Sequence, residues 1–154
     1  MARDPIPTWT FAIVVVRRPR DGKFLVVHER GHGQRWYLPA GRVEPGESIF
    51  AGALRETLEE SGVPVELSGL LEVQHMAFPD GNAKLRVILL AEPREETPPL
   101  SPPGNEHSLE ARGVDLAELA GLPLRSDEVR LLFQQVASGR AAAPLACFQS
   151  EALA

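Results

Sequence analysis

Glu56, Glu59 and Glu60 crowd three carboxylates into the stretch LRETLEESGV, Leu54 to Val63, which reads as a helix. At 100° per residue they share an arc of about 100°, and Phe50, Leu54 and Leu58, spaced i, i+4, i+8, fall on the opposite side, expected to enter the core. Two of the carboxylates sit in the last turn, where the helix dipole is already negative, at a cost of ~0.3–1 kcal/mol each. Glu56 and Glu60 also repel across i,i+4 by roughly 0.2–0.5 kcal/mol. A hard divalent cation, Mg²⁺ or Mn²⁺, relieves that strain, since it prefers carboxylate, carbonyl and water oxygens and bridges to phosphates. The triplet alone also reads as a solvated acidic face; the wider spacing around it decides between the two.

The elements that must position these groups follow from period and punctuation. Thr10 to Arg18 and Lys23 to Glu29 are apolar and β-branched around the Asp-Gly turn of RDGK, which predicts an antiparallel hairpin. A Gly-rich loop, GHGQR, leads to a short extended piece at Trp36 to Leu38. Ser48 as N-cap and Gly62 as the residue closing the end bound a helix over Ile49 to Ser61. VELSGLLEVQHMAF and AKLRVILLAEP flank the turn PDGN and predict a second hairpin. The segment at 93–107 is too rich in proline for helix or central strand and reads as a long surface loop, a candidate lid. SLEARGVDL predicts a last short strand. SDEVRLLFQQVASG predicts a C-terminal helix that opens at Ser126, closes at Gly139 and carries Val129, Leu132, Phe133 and Val136 on one stripe.

The bulk properties narrow the chemistry. A chain of 154 residues, 44% hydrophobic, suits one domain over 1–154. A net charge of −5 gives no basic footprint for polymeric nucleic acid or an anionic membrane, yet permits a small anionic substrate whose charge a metal neutralises. The one cysteine, Cys147, cannot form an internal disulfide or a thiolate cluster, and no signal core or spanning segment is legible, so a cytoplasmic protein is expected.

GRVEPGESIFAGALRETLEESGV, Gly41 to Val63, matches the pattern G-x5-E-x7-R-E-U-x-E-E-x-G-U, with U a bulky aliphatic, at Gly41, Glu47, Arg55, Glu56, Glu59, Glu60, Gly62 and Val63. The stretch resembles the Nudix box, the motif of Nudix hydrolases, and the preceding WYLPAG is similar to the run that leads into it. Thr57, at the first U position, is the one departure and bears on packing more than chemistry. The resemblance implies an α/β fold, an α/β/α sandwich around a mixed, partly antiparallel sheet. It implies that Gly41 brings a backbone carbonyl to the metal, that Glu59 and Glu60 are the principal metal ligands, and that Glu56 is a ligand or the base acting on water. Arg55 and Glu47 would orient those carboxylates.

By the same resemblance, the reaction is metal-dependent hydrolysis of a phosphoanhydride in a nucleoside diphosphate linked to a group X. The substrate expected is a small-molecule nucleotide, a nucleoside di- or triphosphate including oxidised ones, handled by a monomer or homodimer. ADP-ribose or nucleotide-sugar cleavage is the alternative, since Pro79 lies where such members tend to carry a proline. A non-catalytic nucleotide-binding regulator is the alternative of another class, against which stands the presence of all four box glutamates. Related enzymes place a further acidic group after the loop, where Glu106 and Glu110 stand, and Glu110 is carried as a substrate-site candidate. Arg30 and Arg35 flank the Gly-rich loop and are phosphate candidates by charge, with His32 beside them. Trp36 and Phe78 are either stacking surfaces for a base or core.

Overall fold

The computed structural model describes residues 3–95 and 104–154. Along the chain run β1 (Thr8–Val16), β2 (Phe24–Glu29), β3 (Trp36–Tyr37), β4 (Ala40–Arg42), α1 (Ile49–Ser61), β5 (Val65–Ala77), β6 (Ala83–Pro93), β7 (Ser108–Val114), α2 (Leu116–Ala120) and α3 (Glu128–Ala137), then a single 3₁₀ turn at Leu145–Cys147. Among the described residues no helix is long and apolar enough to cross a membrane.

β1 lies at the centre because its apolar run can be buried on both faces. Ala12 to Val16 are all buried, the pattern of a strand with a parallel neighbour and cover above and below. It pairs in parallel with β6, from Thr8 opposite Ala83 to Val16 opposite Ala91, and antiparallel with β4, where Ala12 faces Gly41. β6 pairs antiparallel with β5, so the mixed sheet has the order β4-β1-β6-β5. A second, antiparallel sheet has the order β3-β2-β7.

The hairpin expected between Thr10–Arg18 and Lys23–Glu29 forms only its turn. Arg18 N–H donates to the Lys23 carbonyl at 2.9 Å and Arg17 bridges Phe24, after which the two strands part into different sheets. Both edges of β1 are already taken by β4 and β6, so β2 has no ladder to join there. The second expected hairpin is β5 and β6, turned at Asp80-Gly81 with Gly81 at φ +88°. The expected strand in SLEARGVDL is β7, and α2 follows it on a capping box between Asp115 and Glu118.

One core layer joins alternate residues Ile13, Val15 and Ile88 of the mixed sheet to Phe24, Trp36 and Leu38 and to α3. Val129, Leu132, Phe133 and Val136 are all buried, as the stripe predicts, and Phe133 stacks on Phe24 with ring centroids 4.2 Å apart. The opposite layer joins Ala12, Val14, Val87 and Leu89 to Ala53 of α1. Helices therefore flank the mixed sheet on both sides, the expected α/β/α arrangement.

α1 has the ends the sequence predicts. Ser48 accepts from Ala51 N–H at 3.1 Å, and Gly62 sits in the left-handed region at φ +69°. Its buried stripe differs: Gly52, Ala53, Thr57 and Ser61 face the sheet, Phe50 and Leu54 flank it half-buried, and Leu58 is 50% exposed. Small residues let the helix approach closely, and Thr57 is accommodated because its hydroxyl donates to the Ala53 carbonyl at 2.8 Å. Carbonyls of the last turn are also met, Glu59 by Asn105 Nδ2 at 2.7 Å and Glu60 by Ser108 Oγ at 2.6 Å.

The C-terminal segment straps α1 to β5. Leu70 and Ala143 exchange backbone bonds of 2.9 and 2.8 Å, Phe148 packs on Phe50, and Ile49 N–H donates to Ser150 Oγ at 2.7 Å. The greater part of the expected proline-rich loop at 93–107, together with its lid reading, falls on residues 96–103 and lies outside the described residues.

Candidate active site

α1 carries its acidic face to the edge strand β4. Ala40 N–H donates to Glu60 Oε2 at 3.0 Å. Glu56 lies against Gly41, where an added Cβ would stand 2.0 Å from the Glu56 carboxyl carbon. Only glycine leaves that space.

Arg55 binds the remaining carboxylates. Its Nε and Nη2 fork onto Glu47 at 2.7 and 2.9 Å, while Nη1 reaches Glu56 Oε1 at 2.8 Å and Glu59 Oε2 at 3.1 Å. Nη2 also donates to the Arg42 carbonyl at 3.0 Å, tying helix to edge strand. One planar cation thus gathers three carboxylates that would otherwise repel.

Burial pushes the Glu60 carboxyl up to about 8; the Ala40 N–H opposes this and the charges of Glu56, Glu29 and Glu59 add to it. Glu56 is also raised by burial, against the pull of Arg55. Glu47 is lowered by its hydrogen bonds from Arg55, and Arg55 is raised chiefly by Glu47.

A cavity of about 490 Å³ opens from Ala40, Gly41 and Glu60 across the face of the mixed sheet. Phe11, Met76 and Lys84 line its floor, and Tyr37, Arg86 and Glu128 form one wall. Glu128 Oε2 accepts from Arg86 Nη2 at 2.7 Å and from the Tyr37 hydroxyl at 2.9 Å. Burial works against the Glu128 charge, but the bonds from Arg86 and Tyr37 win and hold it below the usual carboxylate value. Tyr37 is pushed up to about 12 by burial and then by the Glu128 charge. Another cavity, of about 590 Å³ beside Arg17, Asp21 and Arg140, includes no residue of α1 or β4.

Among the described residues no three His, Cys, Asp or Glu groups already stand as a preformed metal cage. Arg55 holds Glu56 and Glu59 to itself, so a cation must share or displace those bonds. The donor set nevertheless fits a hard divalent ion: all oxygen ligands, a bare backbone at Gly41, two carboxyls raised by burial, and Glu29 Oε2 buried without any partner.

Several expected substrate contacts lie elsewhere. Arg30 turns to the Asn105 carbonyl, and neither it nor the exposed Arg35 lines the cavity. Glu110 pairs with Arg112 at 2.7 Å on the outer sheet, and Glu106 is 87% exposed. Trp36 is core, stacked on His28, whereas Phe78 is exposed beside Trp9. His32 does line the cavity. Sequence reasoning missed Glu29, Tyr37, Lys84, Arg86, Arg125 and Glu128. Lys84 and Arg86 had a legible signal, two cations at i, i+2 on one face of an otherwise apolar strand.

An α/β domain that sets a helix of glutamates beside a cavity lined by both charged and apolar side chains is the class that fold and site define. The family model for the NUDIX domain matches residues 8–135, and the chain belongs to that family. It is 31% identical over 132 residues to the human 8-oxo-dGDP phosphatase NUDT18, an alignment of 84% of this chain and 39% of that protein. It is 34% identical over 73 residues to phosphatase NudJ of Escherichia coli O1:K1 / APEC, 47% of this chain and 48% of the relative. This chain thus spans well under two thirds of the length of these relatives. A NUDIX hydrolase from Nitrosomonas europaea superposes with a TM-score of 0.73 at 25% identity, covering 96% of this chain and 99% of the other. NUDIX enzymes as a family depend on a divalent cation.

Proposed function

We propose that this chain hydrolyses a phosphoanhydride bond of a nucleoside di- or triphosphate, oxidised purine nucleotides included, using Mg²⁺ or Mn²⁺ bound by Glu56, Glu59, Glu60 and the Gly41 carbonyl. The observation that carries the reading is the Glu56 carboxylate seated on the side-chain-free backbone of Gly41, with Glu60 anchored on the adjoining amide. The substrate lean rests on the activity named for the human relative and on a cavity of nucleoside size.

A bound cation supplies charge neutralisation on the phosphates and a lowered pKa for attacking water. Arg55 keeps Glu47, Glu56 and Glu59 in register and compensates their charge. Glu56, tied to Arg55 through one oxygen, would hold the cation through the other. A cation held by Glu60 would compete with the proton that burial favours on the same carboxylate. Arg86, Tyr37 and Glu128, bonded to one another, form a polar wall against which a base would be oriented, over Phe11, Met76 and Lys84.

The test is phosphate or pyrophosphate release from a panel of nucleoside di- and triphosphates, nucleotide sugars and ADP-ribose, with and without Mg²⁺. Cation-dependent turnover of the nucleoside phosphates, lost in Glu60→Gln, is expected. Nucleotide binding without turnover in Mg²⁺ or Mn²⁺ across the panel would overturn the enzyme reading in favour of a nucleotide-binding regulator.

A further inference from the structure

Glu29 closes β2 at the point where its register with β7 shifts, between His28 and Glu29. Its side chain is only 15% exposed. Oε1 is engaged: Arg125 Nη1 donates to it at 2.8 Å, and the Arg125 guanidinium is itself stacked 4.7 Å above the Tyr37 ring. His32 Nδ1 stands 3.6 Å from the same oxygen. Oε2 has nothing. Among the described residues it is the one buried side-chain oxygen or nitrogen with no hydrogen-bond partner.

A charged oxygen withdrawn from water without a donor is unfavourable, and such a group calls for a missing partner. The partner's charge follows from the neighbours. Glu29 lines the same cavity as Gly41 and Glu60, and its negative charge bears on Glu60. An anionic phosphate would sharpen that repulsion, and a neutral donor would leave it in place. A cation relieves both carboxylates at once.

We propose that Glu29 is a further ligand of the divalent cation, contributing Oε2 from β2 opposite the carboxylates of α1. This rests on the cation reading above and adds to it a ligand outside the Gly41–Val63 segment. Arg125 then has a positioning role, pinning one Glu29 oxygen so that the other stays available. A hard ion that accepts six oxygens has room for such a ligand beside those of the helix.

The experiment measures Mn²⁺ binding to the full chain without nucleotide, by calorimetry and by the electron paramagnetic resonance signal of free Mn²⁺. It compares the natural protein with Glu29→Gln, Glu29→Asp, Arg125→Ala and Glu60→Gln. Thermal unfolding of each in EDTA confirms folding. Expected are a loss of Mn²⁺ affinity of about tenfold or more in Glu29→Gln, a smaller loss in Glu29→Asp, and a smaller thermal shift on adding Mn²⁺ to Glu29→Gln than to the natural protein. Arg125→Ala is expected to lose less Mn²⁺ affinity than Glu29→Gln, because it frees a ligand to move without removing it. Natural affinity in Glu29→Gln alongside lost affinity in Glu60→Gln overturns the Glu29 assignment and leaves the cation reading standing. Equal losses in Glu29→Gln and Arg125→Ala overturn it too, by showing that Glu29 acts only through the arginine. No Mn²⁺ binding by the natural protein overturns both readings together.

Discussion

The Glu56 carboxylate occupies the space that a side chain on Gly41 would need, 2.0 Å from where a Cβ would stand. Glu56 ends a flexible side chain, so Gly41→Ala is expected to move the carboxylate rather than unfold the chain. Stability should fall by no more than about 1.5–3 kcal/mol, the scale of one lost charged hydrogen bond to Arg55. Turnover should fall by about 10²-fold. Parallel measurement of kcat and thermal unfolding checks the split; comparable losses in both would mean a structural glycine.

Glu60→Gln removes the most buried carboxylate of α1 while keeping its shape. Cation-dependent turnover should drop by about 10²-fold or more, as on loss of a principal electrostatic stabiliser. Unchanged turnover in steady-state assays would take Glu60 out of the site.

The same residue predicts how stability depends on pH. Its folded value of about 8 lies above its ordinary 4.5, so between those limits the folded state binds more protons than the unfolded state. Stability from Glu60 is therefore fully present below about pH 4.5 and is lost as pH rises to about 8, by a few kcal/mol in order of magnitude. Melting curves in EDTA from pH 5 to 9 should show this decline. Millimolar Mg²⁺ or Glu60→Gln should flatten it.

Arg55→Lys keeps the charge but not the fork that spans Glu47, Glu56 and Glu59. A point charge cannot serve three carboxylates with fixed geometry, so activity should fall roughly 10–100-fold. The thermal midpoint should move little, and an increased Mg²⁺ requirement in the activity titration would identify disordered ligands as the cause.

Glu128→Gln loosens the polar wall it shares with Tyr37 and Arg86. The expected result is KM raised by about tenfold, from weakened charged hydrogen bonds, with kcat within about twofold because no group on α1 is touched. A fall in kcat at constant KM would place Glu128 in the chemistry instead.

The legible part of the site was local. Ser48 and Gly62 bound α1 because caps act on amides and carbonyls within one turn, and the spacing from Gly41 to Val63 marked the acidic face because helix period relates near neighbours. Val129, Leu132, Phe133 and Val136 were readable for the same reason. Leu58 was misread because hydrophobicity alone does not say how closely a helix may approach its sheet, and small Ala53 and Thr57 took that face. Arg30 and Arg35 were chosen by charge beside the Gly-rich loop, and Glu110 by where related enzymes place an acidic group; neither signal says which side of a strand faces the cavity.

The chain order by itself determined that there is a capped helix with an acidic edge, an Asp-Gly-turned hairpin of β5 and β6, and the family to which the motif belongs. Tertiary structure alone decided that β1 and β2 part into two sheets, since that depends on β4 and β6 claiming both edges of β1. It alone brought Glu29 to the cavity that Glu60 lines, and Arg86 and Tyr37 against Glu128, 42 and 91 residues away. Such partners are joined by strand register and sheet packing, and no periodicity within a single element encodes them.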